Sequence, residues 1–547
     1  MTMKKIIKYV TAFFVASVIL NSCESAELDL NADPNALTPS QANPDFYLNA
    51  AQEQFARAVH VLAEVGAEVT RIENMASRDY QNAYSPSFFD LTWERSYQEA
   101  IKNLRDMNVL AEEAGLRYHI GMGQVIEAYT ITMLVDYFGE VPYSEAISAP
   151  DILNPNIDAG GDIYDSTLGL LDQAIANFNA TSTALPENDF FYDGDASLWI
   201  KAANTLKMRL YRNTGNASAF NSIVSSGNFI QSTDEDFQFT WGSNAVQPDT
   251  RHPDYAQGYT DQGGGDYQSI WLMDLMLTSN DPRIRYFFYR QSNATPGAPG
   301  VAPNEETLAC SLTTPPQQYV DGNYAYCSLP NGYWGRNHGN DEGIPPDGLL
   351  RTAAGVYPIA GKFDDSSFSE ISLGAGGGGA GITPMLLAST VDFWRAEFLL
   401  GSDPVAAKPF IISGIQKSIA KVASFGSVDP GADLSEAPTA GDITQFILDI
   451  GTAYDDAEGT DKWNIMAEQF FIALKGNGHD AYNFYRRTGY PDDLEPSLEP
   501  NPGAFIRSFF YPANASSNNQ FIVQKSGVTD QVFWDTNPAS PAFPPAN

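Results

Sequence analysis

Apolar side chains recur at helical spacing through most of the first half of the chain. Tyr164, Leu168, Leu171, Ile175 and Phe178 follow at steps of four, three, four and three, which places them on one helix face, with Asp162 positioned as the N-cap. Trp199, Ala203, Leu206 and Leu210 form a second stripe, and Asp195 is placed to accept the free amide hydrogens of that helix's first turn. Further helices are predicted near 46–65, 93–113 and 118–138. Trp93 and Tyr97, four apart on one face, are assigned to the core, as are Trp199 and Trp463. Consecutive amphipathic helices with short connections predict stacked hairpins of the tetratricopeptide type, although no strict repeat consensus is present.

The period fades between about 237 and 382, where Gly, Pro, Asn, Asp and Tyr dominate and a flexible GAGGGGAG run occupies 374–381. It returns at 391–400, at Ile412, Ile415, Ile419 and Val422, and at Trp463, Met466, Phe470 and Leu474. The proline-rich tail after Tyr490 is expected to wrap the surface. The pattern therefore predicts a mostly α protein with one large domain over 44–547. Helical parts at about 44–236 and 383–490 pack together around a loop-rich elaboration at about 237–382. Long loops in a compact domain usually carry function, so binding is expected there.

The chain starts with Lys4, Lys5 and Lys8, an apolar run over 9–20, and then Leu20-Asn21-Ser22-Cys23. That is the form of a lipoprotein signal peptide over 1–22 with lipid carried on Cys23, because the apolar run is too short for an ordinary spanning helix. An anchor that is never cleaved is the alternative. Small, acidic and proline-containing residues over 23–43 suit a flexible tether. Of the three cysteines, Cys23 would be consumed by lipid, which leaves Cys310 and Cys327 as a disulfide pair in an exported protein or as two separate buried thiols. Net charge is −36, and removal of 1–22 takes away three lysines, giving −36 − 3 = −39. Such a surface repels phosphate, which excludes nucleic acid as a partner and leaves membrane attachment to the lipid on Cys23.

Candidate chemistry is that of binding. Aromatic rings in loops can offer a flat apolar face to a ligand. The candidates are Tyr80, Tyr84, Trp241, Tyr255, Tyr259, Tyr267, Trp271, Tyr319, Tyr333 and Trp334, with Tyr324 and Tyr326 beside them; for each, core packing or loop anchoring is the alternative. No catalytic residue, metal site or cofactor is assigned. His60, His119, His252, His338 and His479 stand isolated in sequence, and His252, beside Arg251 and Asp254, reads as a solvated loop residue. The Asp193-Gly194-Asp195 element reads as a helix cap ahead of a calcium loop. The glycine run lacks the lysine and the strand-to-helix setting of a phosphate site.

Four segments resemble the SusD/RagB family of outer-membrane nutrient-binding lipoproteins. They are LVDYFGEVPYSEA from Leu134, YDGDASLWIKAANTLKMRLYRN from Tyr192, WNIMAEQFFIALKGNGHDAYNFYRRTGYP from Trp463, and the closing pattern of Arg507 to Pro512 with Asn518 and Asn519. The last lacks the glutamate usual in the family. Glu24, Glu27 and Asp29 also resemble surface-export signals of glycan-foraging Gram-negative bacteria. The resemblance implies a helical fold with tetratricopeptide-like hairpins and a lipid anchor on the outer membrane facing the cell exterior. It also implies a role as a lid over a SusC-like TonB-dependent transporter, with oligosaccharide or, alternatively, peptide ligands. It implies capture rather than catalysis. A surface glycoside hydrolase would instead show two carboxyls facing each other in a ligand-sized cleft, and an adhesive protein would show no pocket.

Overall fold

Every residue from Tyr118 to Phe138 is buried, so the helix they form is wrapped on all sides. The computed structural model describes residues 43–261, 263–296, 308–340 and 350–545. The expected signal peptide, the lipid on Cys23 and the tether up to 42 lie outside the described residues. In chain order the helices are α1 (Pro44–Val69), α2 (Asp90–Glu94) continuing through a π-helical stretch (Arg95–Ile101) into α3 (Lys102–Ala114), then α4 (Arg117–Phe138), α5 (Gly160–Asn179), α6 (Ala196–Asn213) and α7 (Ala217–Ser226). Within the elaboration lie the short α8 (Pro253–Gly258) and α9 (Ile270–Thr278), and after it come α10 (Ala388–Leu400), α11 (Pro404–Ala423), α12 (Ala440–Asp456), α13 (Thr460–Ala473) and α14 (Gly478–Thr488). Antiparallel neighbours α4 and α5, then α5 and α6, pack as hairpins, as do α10 and α11. No helix among the described residues is long and apolar enough to cross a membrane.

Local chemistry explains most of these elements. Asp195 caps α6 by accepting from the amides of Ser197 at 2.8 Å and Leu198 at 3.4 Å. Asp162 does not cap α5, which starts two residues earlier with Ala159 at the N-cap; the carboxylate sits in the first turn, where the helix dipole still favours it. Helix α12 escaped the periodic reading because only Phe446, Gly451 and Tyr454 of it are buried, but a capping box between Thr439 and Asp442 starts it.

The loop-rich elaboration begins and ends at one place. Strand β1 (Phe237–Thr240) pairs antiparallel with β2 (Ile382–Leu386), from Phe237 opposite Leu386 to Thr240 opposite Ile382, so the residues between them leave and return side by side. Cys310 and Cys327 are joined in a disulfide with their Cα atoms 5.9 Å apart. The glycine run is packed rather than loose: a Cβ at Gly376 would lie 2.1 Å from the Gly361 carbonyl oxygen, and His252 N–H donates to Gly379 at 2.9 Å. The main apolar core runs from Leu48 in α1 to Trp534 near the C-terminus, with two smaller clusters around Tyr255 and around Trp334, and 44–547 forms a single compact unit.

At the centre of that core stands Asp136 of α4, fully buried. Its carboxylate accepts from the Tyr164 hydroxyl at 2.5 Å, His479 Nε2 at 2.8 Å, Asn483 Nδ2 at 2.7 Å and Trp534 Nε1 at 2.8 Å, while its carbonyl accepts from Arg486 at 2.8 Å. These donors come from α5, α14 and the C-terminal tail. The tail therefore does not merely wrap the surface: Phe505, Ile506, Phe509 and Trp534 are buried in the core it shares with α4. Close beside the hub, α1 and α14 cross with glycine against glycine, since a Cβ at Gly66 would lie 2.4 Å from the Gly478 oxygen. Burial pushes the Asp136 carboxyl up, but the hydrogen bonds from His479 and Tyr164 outweigh it and hold it down at about 2. Burial and the nearby Arg209 push His479 down from its ordinary value, against the hydrogen bond with Asp136 that raises it.

A depressed carboxylate stabilises the fold above its ordinary value of 3.8 and loses that contribution, about 2 kcal/mol here, as pH falls through about 2. Asp136→Ala, which strands four buried donors, should lower unfolding stability by roughly 3–5 kcal/mol in urea titration at pH 7. A loss below about 1 kcal/mol would contradict the assigned role.

Candidate functional site

Glu64 and Glu68 stand one turn apart on α1, a like-charge spacing that destabilises an isolated helix. They line a cavity of about 260 Å³ together with Glu73 and Asn74 from the loop after α1, Asp254 and Gln257 from α8, Asp266, Tyr267 and Gln268 from the following loop, and Lys475 with Gly476 from the turn between α13 and α14. Ala354, Pro358 and Ile359 supply apolar wall from the elaboration. The terminal helical parts thus form one side and the loop-rich middle the other.

Five carboxylates face this space, against one lysine. Lys475 pairs with Glu73, His60 Nε2 lies 2.9 Å from Asp254, the Tyr84 hydroxyl donates to Glu68, and Gln257 donates to Asp266 at 3.3 Å. Glu64 has its nearest basic partner, His60 Nε2, at 4.0 Å. Burial pushes the Glu68 carboxyl up to about 7, with the charges of Glu73, Asp254 and Asp266 adding to it against the Tyr84 hydrogen bond. Burial and Asp254 raise Asp266 to about 6, and burial with the charges of Asp254 and Glu68 raises Glu64 well above the usual range. Glu73 is raised by burial despite Lys475. Asp254 goes the other way: burial raises it, but His60 outweighs that and holds it below the usual carboxylate range.

The ten aromatic candidates divide sharply. Tyr80, Tyr84, Trp241, Tyr255, Tyr259, Tyr319, Tyr333 and Trp334 are all buried and so present no ring face to a ligand. Their polar ends anchor the loops instead. The Tyr80 oxygen accepts from Arg71 at 2.9 Å, Trp241 Nε1 donates to Thr383 at 2.9 Å, and Trp334 Nε1 donates to the Ala294 carbonyl at 2.7 Å. Tyr255 and Tyr259 stack at 4.5 Å with hydroxyls on the Ala375 and Ala354 carbonyls, and the Tyr319 hydroxyl donates to Pro496. Tyr333 packs under the Arg290 guanidinium at 5.0 Å. Tyr267 and Trp271 remain half-buried; Trp271 packs edge-on to Phe471, and Tyr267 alone of the ten lines the cavity. The guanidiniums of Arg336 and Arg351 lie 4.0 Å and 3.9 Å from its ring centre and fix it at the wall.

The histidines are not isolated in space. His60 and His252 meet edge to face at 5.1 Å, and with Asp254 they form the group of three metal-capable side chains gathered within 4.8 Å among the described residues. His252 is buried rather than solvated, and burial pushes it down to about 3, so it stays neutral. The two rings lie 192 positions apart in the chain (252 − 60), which is why sequence spacing does not reveal the pair. Trp93 is half-buried and packs against the core beside Tyr97, whose hydroxyl donates to the Pro142 carbonyl at 2.7 Å.

Residues 34–305 match the SusD-like family model described as starch-binding and associating with the outer membrane. A SusD/RagB family protein from Bacteroides thetaiotaomicron is similar in structure at a TM-score of 0.65 with 19% identity, over 91% of this chain and 100% of that one. A chitin-binding SusD homolog from Flavobacterium johnsoniae gives 0.61 and 18%, over 90% and 99%. A SusD homolog from Bacteroides fragilis gives 0.61 and 16%, over 91% and 100%. At these identities the likeness carries the fold. No curated protein matches the chain.

The raised carboxyls make the empty cavity costly at neutral pH. For Glu68, whose ordinary value is 4.5 and whose folded value is about 7, the cost is absent below 4.5 and complete above 7. Glu68→Gln keeps an acceptor for Tyr84 and removes the charge that Glu64, Glu73, Asp254 and Asp266 repel. Its thermal midpoint should exceed the parent's by roughly 1–3 °C at pH 8 and differ by less than about 1 °C at pH 4.5. An equal gain at both pH values would show that the carboxylate is not strained.

Proposed function

The chain belongs to the SusD-like family, and from that membership we propose that it is a cell-surface nutrient-binding protein whose ligand is an oligosaccharide. The observation that carries the reading is the match over 34–305 to a starch-binding, outer-membrane-associating family, in a fold with an acidic cavity between its helical scaffold and its loop-rich middle. In this reading the protein is held on the outer membrane by lipid on Cys23, captures a glycan and passes it to a SusC-like TonB-dependent transporter. Capture beside a channel raises the local concentration the channel meets without any bond being broken.

A second reading has one observation in its favour. A glycoside hydrolase needs one carboxyl kept protonated and another kept ionised, and Glu68, raised to about 7, and the depressed Asp254 line the same cavity. Against it, Glu68 already accepts from Tyr84, and Asp254 is paired with His60, so both carboxylates are engaged by the protein itself.

Calorimetry with oligosaccharides of several linkages, followed by mass spectrometry of the recovered sugar, separates the two. Saturable binding with the glycan recovered intact is the expected result, and Tyr267→Ala should weaken it roughly 10-fold, about 1.4 kcal/mol. A shortened glycan would move the protein to the hydrolase reading, and binding of peptides alone would replace the ligand class.

A further inference from the structure

Two imidazoles and a carboxylate meet where the first helix of the loop-rich middle rests on the scaffold. His60 lies in α1, His252 is the N-cap of α8, and Asp254 stands in the first turn of α8, with Pro253 between them at the first helical position. Their ligand atoms all lie within 4.8 Å of one another. His60 Nε2 is 2.9 Å from Asp254 Oδ1 and His252 Nδ1 is 3.9 Å from Asp254 Oδ2, so each histidine addresses a different oxygen of the same carboxylate. Glu64, one turn on from His60, brings Oε2 to 4.0 Å from the same Nε2. Ligand atoms about 2.0–2.2 Å from a tetrahedral zinc ion stand roughly 3.3–3.6 Å apart, and the separations of 2.9, 3.9 and 4.0 Å bracket that value.

From this geometry we infer that His60, His252 and Asp254 form a binding site for a divalent transition metal of the zinc class, which fastens α8 of the loop-rich middle to α1. The site goes beyond glycan capture and does not depend on it. Two imidazole nitrogens and a carboxylate suit a borderline ion, whereas calcium takes about six to eight oxygens. The surroundings match those of a ligating histidine. With Nδ1 turned to Asp254, the His252 ring also hydrogen-bonds the backbone of Ile382, the first residue of β2, and a metal-bound imidazole commonly has such a backbone partner on its other nitrogen. The His252 backbone N–H donates to the Gly379 carbonyl at 2.9 Å and Trp241 packs edge-on to the ring at 6.0 Å, so the ring is fixed in place. His252 Nδ1 accepts the Asp254 amide at 3.3 Å, a long contact that the metal replaces. Both histidines are buried, but Asp254 and Glu64 reach the cavity, which gives an ion its way in, and the cavity's further carboxylates Glu68, Glu73 and Asp266 favour a cation there.

The test is calorimetric titration of the protein, first stripped with a chelator and dialysed, with zinc chloride and separately with calcium chloride at pH 7.5. One zinc ion should bind with a Kd of about 1 μM or tighter, roughly 100-fold or more tighter than calcium. Zinc at about a hundredfold excess over its Kd should raise the thermal midpoint by roughly 2–4 °C. His60→Gln and His252→Asn should each weaken zinc binding by roughly 30-fold or more; asparagine is itself a good N-cap, so the second variant keeps the start of α8. Should either fold poorly, cobalt(II) bound to the parent protein decides. Strong visible absorption of a four- or five-coordinate cobalt ion supports the site, and the pale spectrum of a six-coordinate ion overturns it. Zinc binding that both histidine variants retain, or calcium bound as tightly as zinc, assigns the cation to the cavity's carboxylates and overturns the site. Absence of saturable zinc binding also overturns it and leaves the His60–Asp254 pair as a contact that only packs α8 on α1.

Discussion

A single buried carboxylate ties together parts of the chain that lie hundreds of residues apart. Asp136 is ionised in the core because Tyr164, His479, Asn483 and Trp534 together replace the water it gave up, and these donors come from α5, α14 and the C-terminal tail. Neighbouring buried ions extend the arrangement. Arg212 pairs with Asp480 at 3.2 Å, Arg507 with Asp535 at 2.6 Å, and Arg486 donates to the Arg507 carbonyl at 2.6 Å. Removing one member of such a network leaves the others charged and unpaired, which is why the segments are fixed jointly rather than one by one.

The site inherits its geometry from that scaffold. His479 and Asn483 place the start of α14, Asn477 donates to the Met385 carbonyl at 3.0 Å just before it, and Lys475, earlier in the same turn, pairs with Glu73 at the cavity. The glycine crossing at Gly66 and Gly478 sets α1 at a fixed distance from α14, and with it Glu64 and Glu68. The segments whose sequence resembles the family therefore build the frame: Asp136, Asn213, Arg486 and Arg487 are all engaged with other protein groups. The cavity wall comes mostly from elsewhere, from the last turns of α1, from α8 and from loops, which leaves ligand choice free to differ while the frame stays the same.

This division also explains what was legible beforehand. Helices with a clear apolar stripe, such as those through Leu171 and Leu206, follow from local periodicity because burial of one face is decided by spacing along the chain. The loop-rich middle was legible as a break in that period. Residue type alone does not distinguish an aromatic ring that holds a ligand from one that anchors a loop; Tyr255, Tyr259 and Trp334 do the latter because their polar ends find carbonyls far away in sequence. The acidic cavity left one trace, Glu64 and Glu68 one turn apart on a helix otherwise almost wholly apolar on its inner face. Its other members, from Asp254 to Lys475, meet only through the fold, as do His60 and His252.

Hydrogen–deuterium exchange of the protein with and without its bound oligosaccharide tests the central claim most directly, that ligand is taken in the cavity between scaffold and elaboration. The account predicts slower exchange confined to the end of α1 and the loop through Asn74, to 254–268, and to the turn at Lys475 and Gly476, with the Asp136 core already protected and unchanged. Protection appearing instead at a surface remote from these segments, with none of them altered, would contradict it.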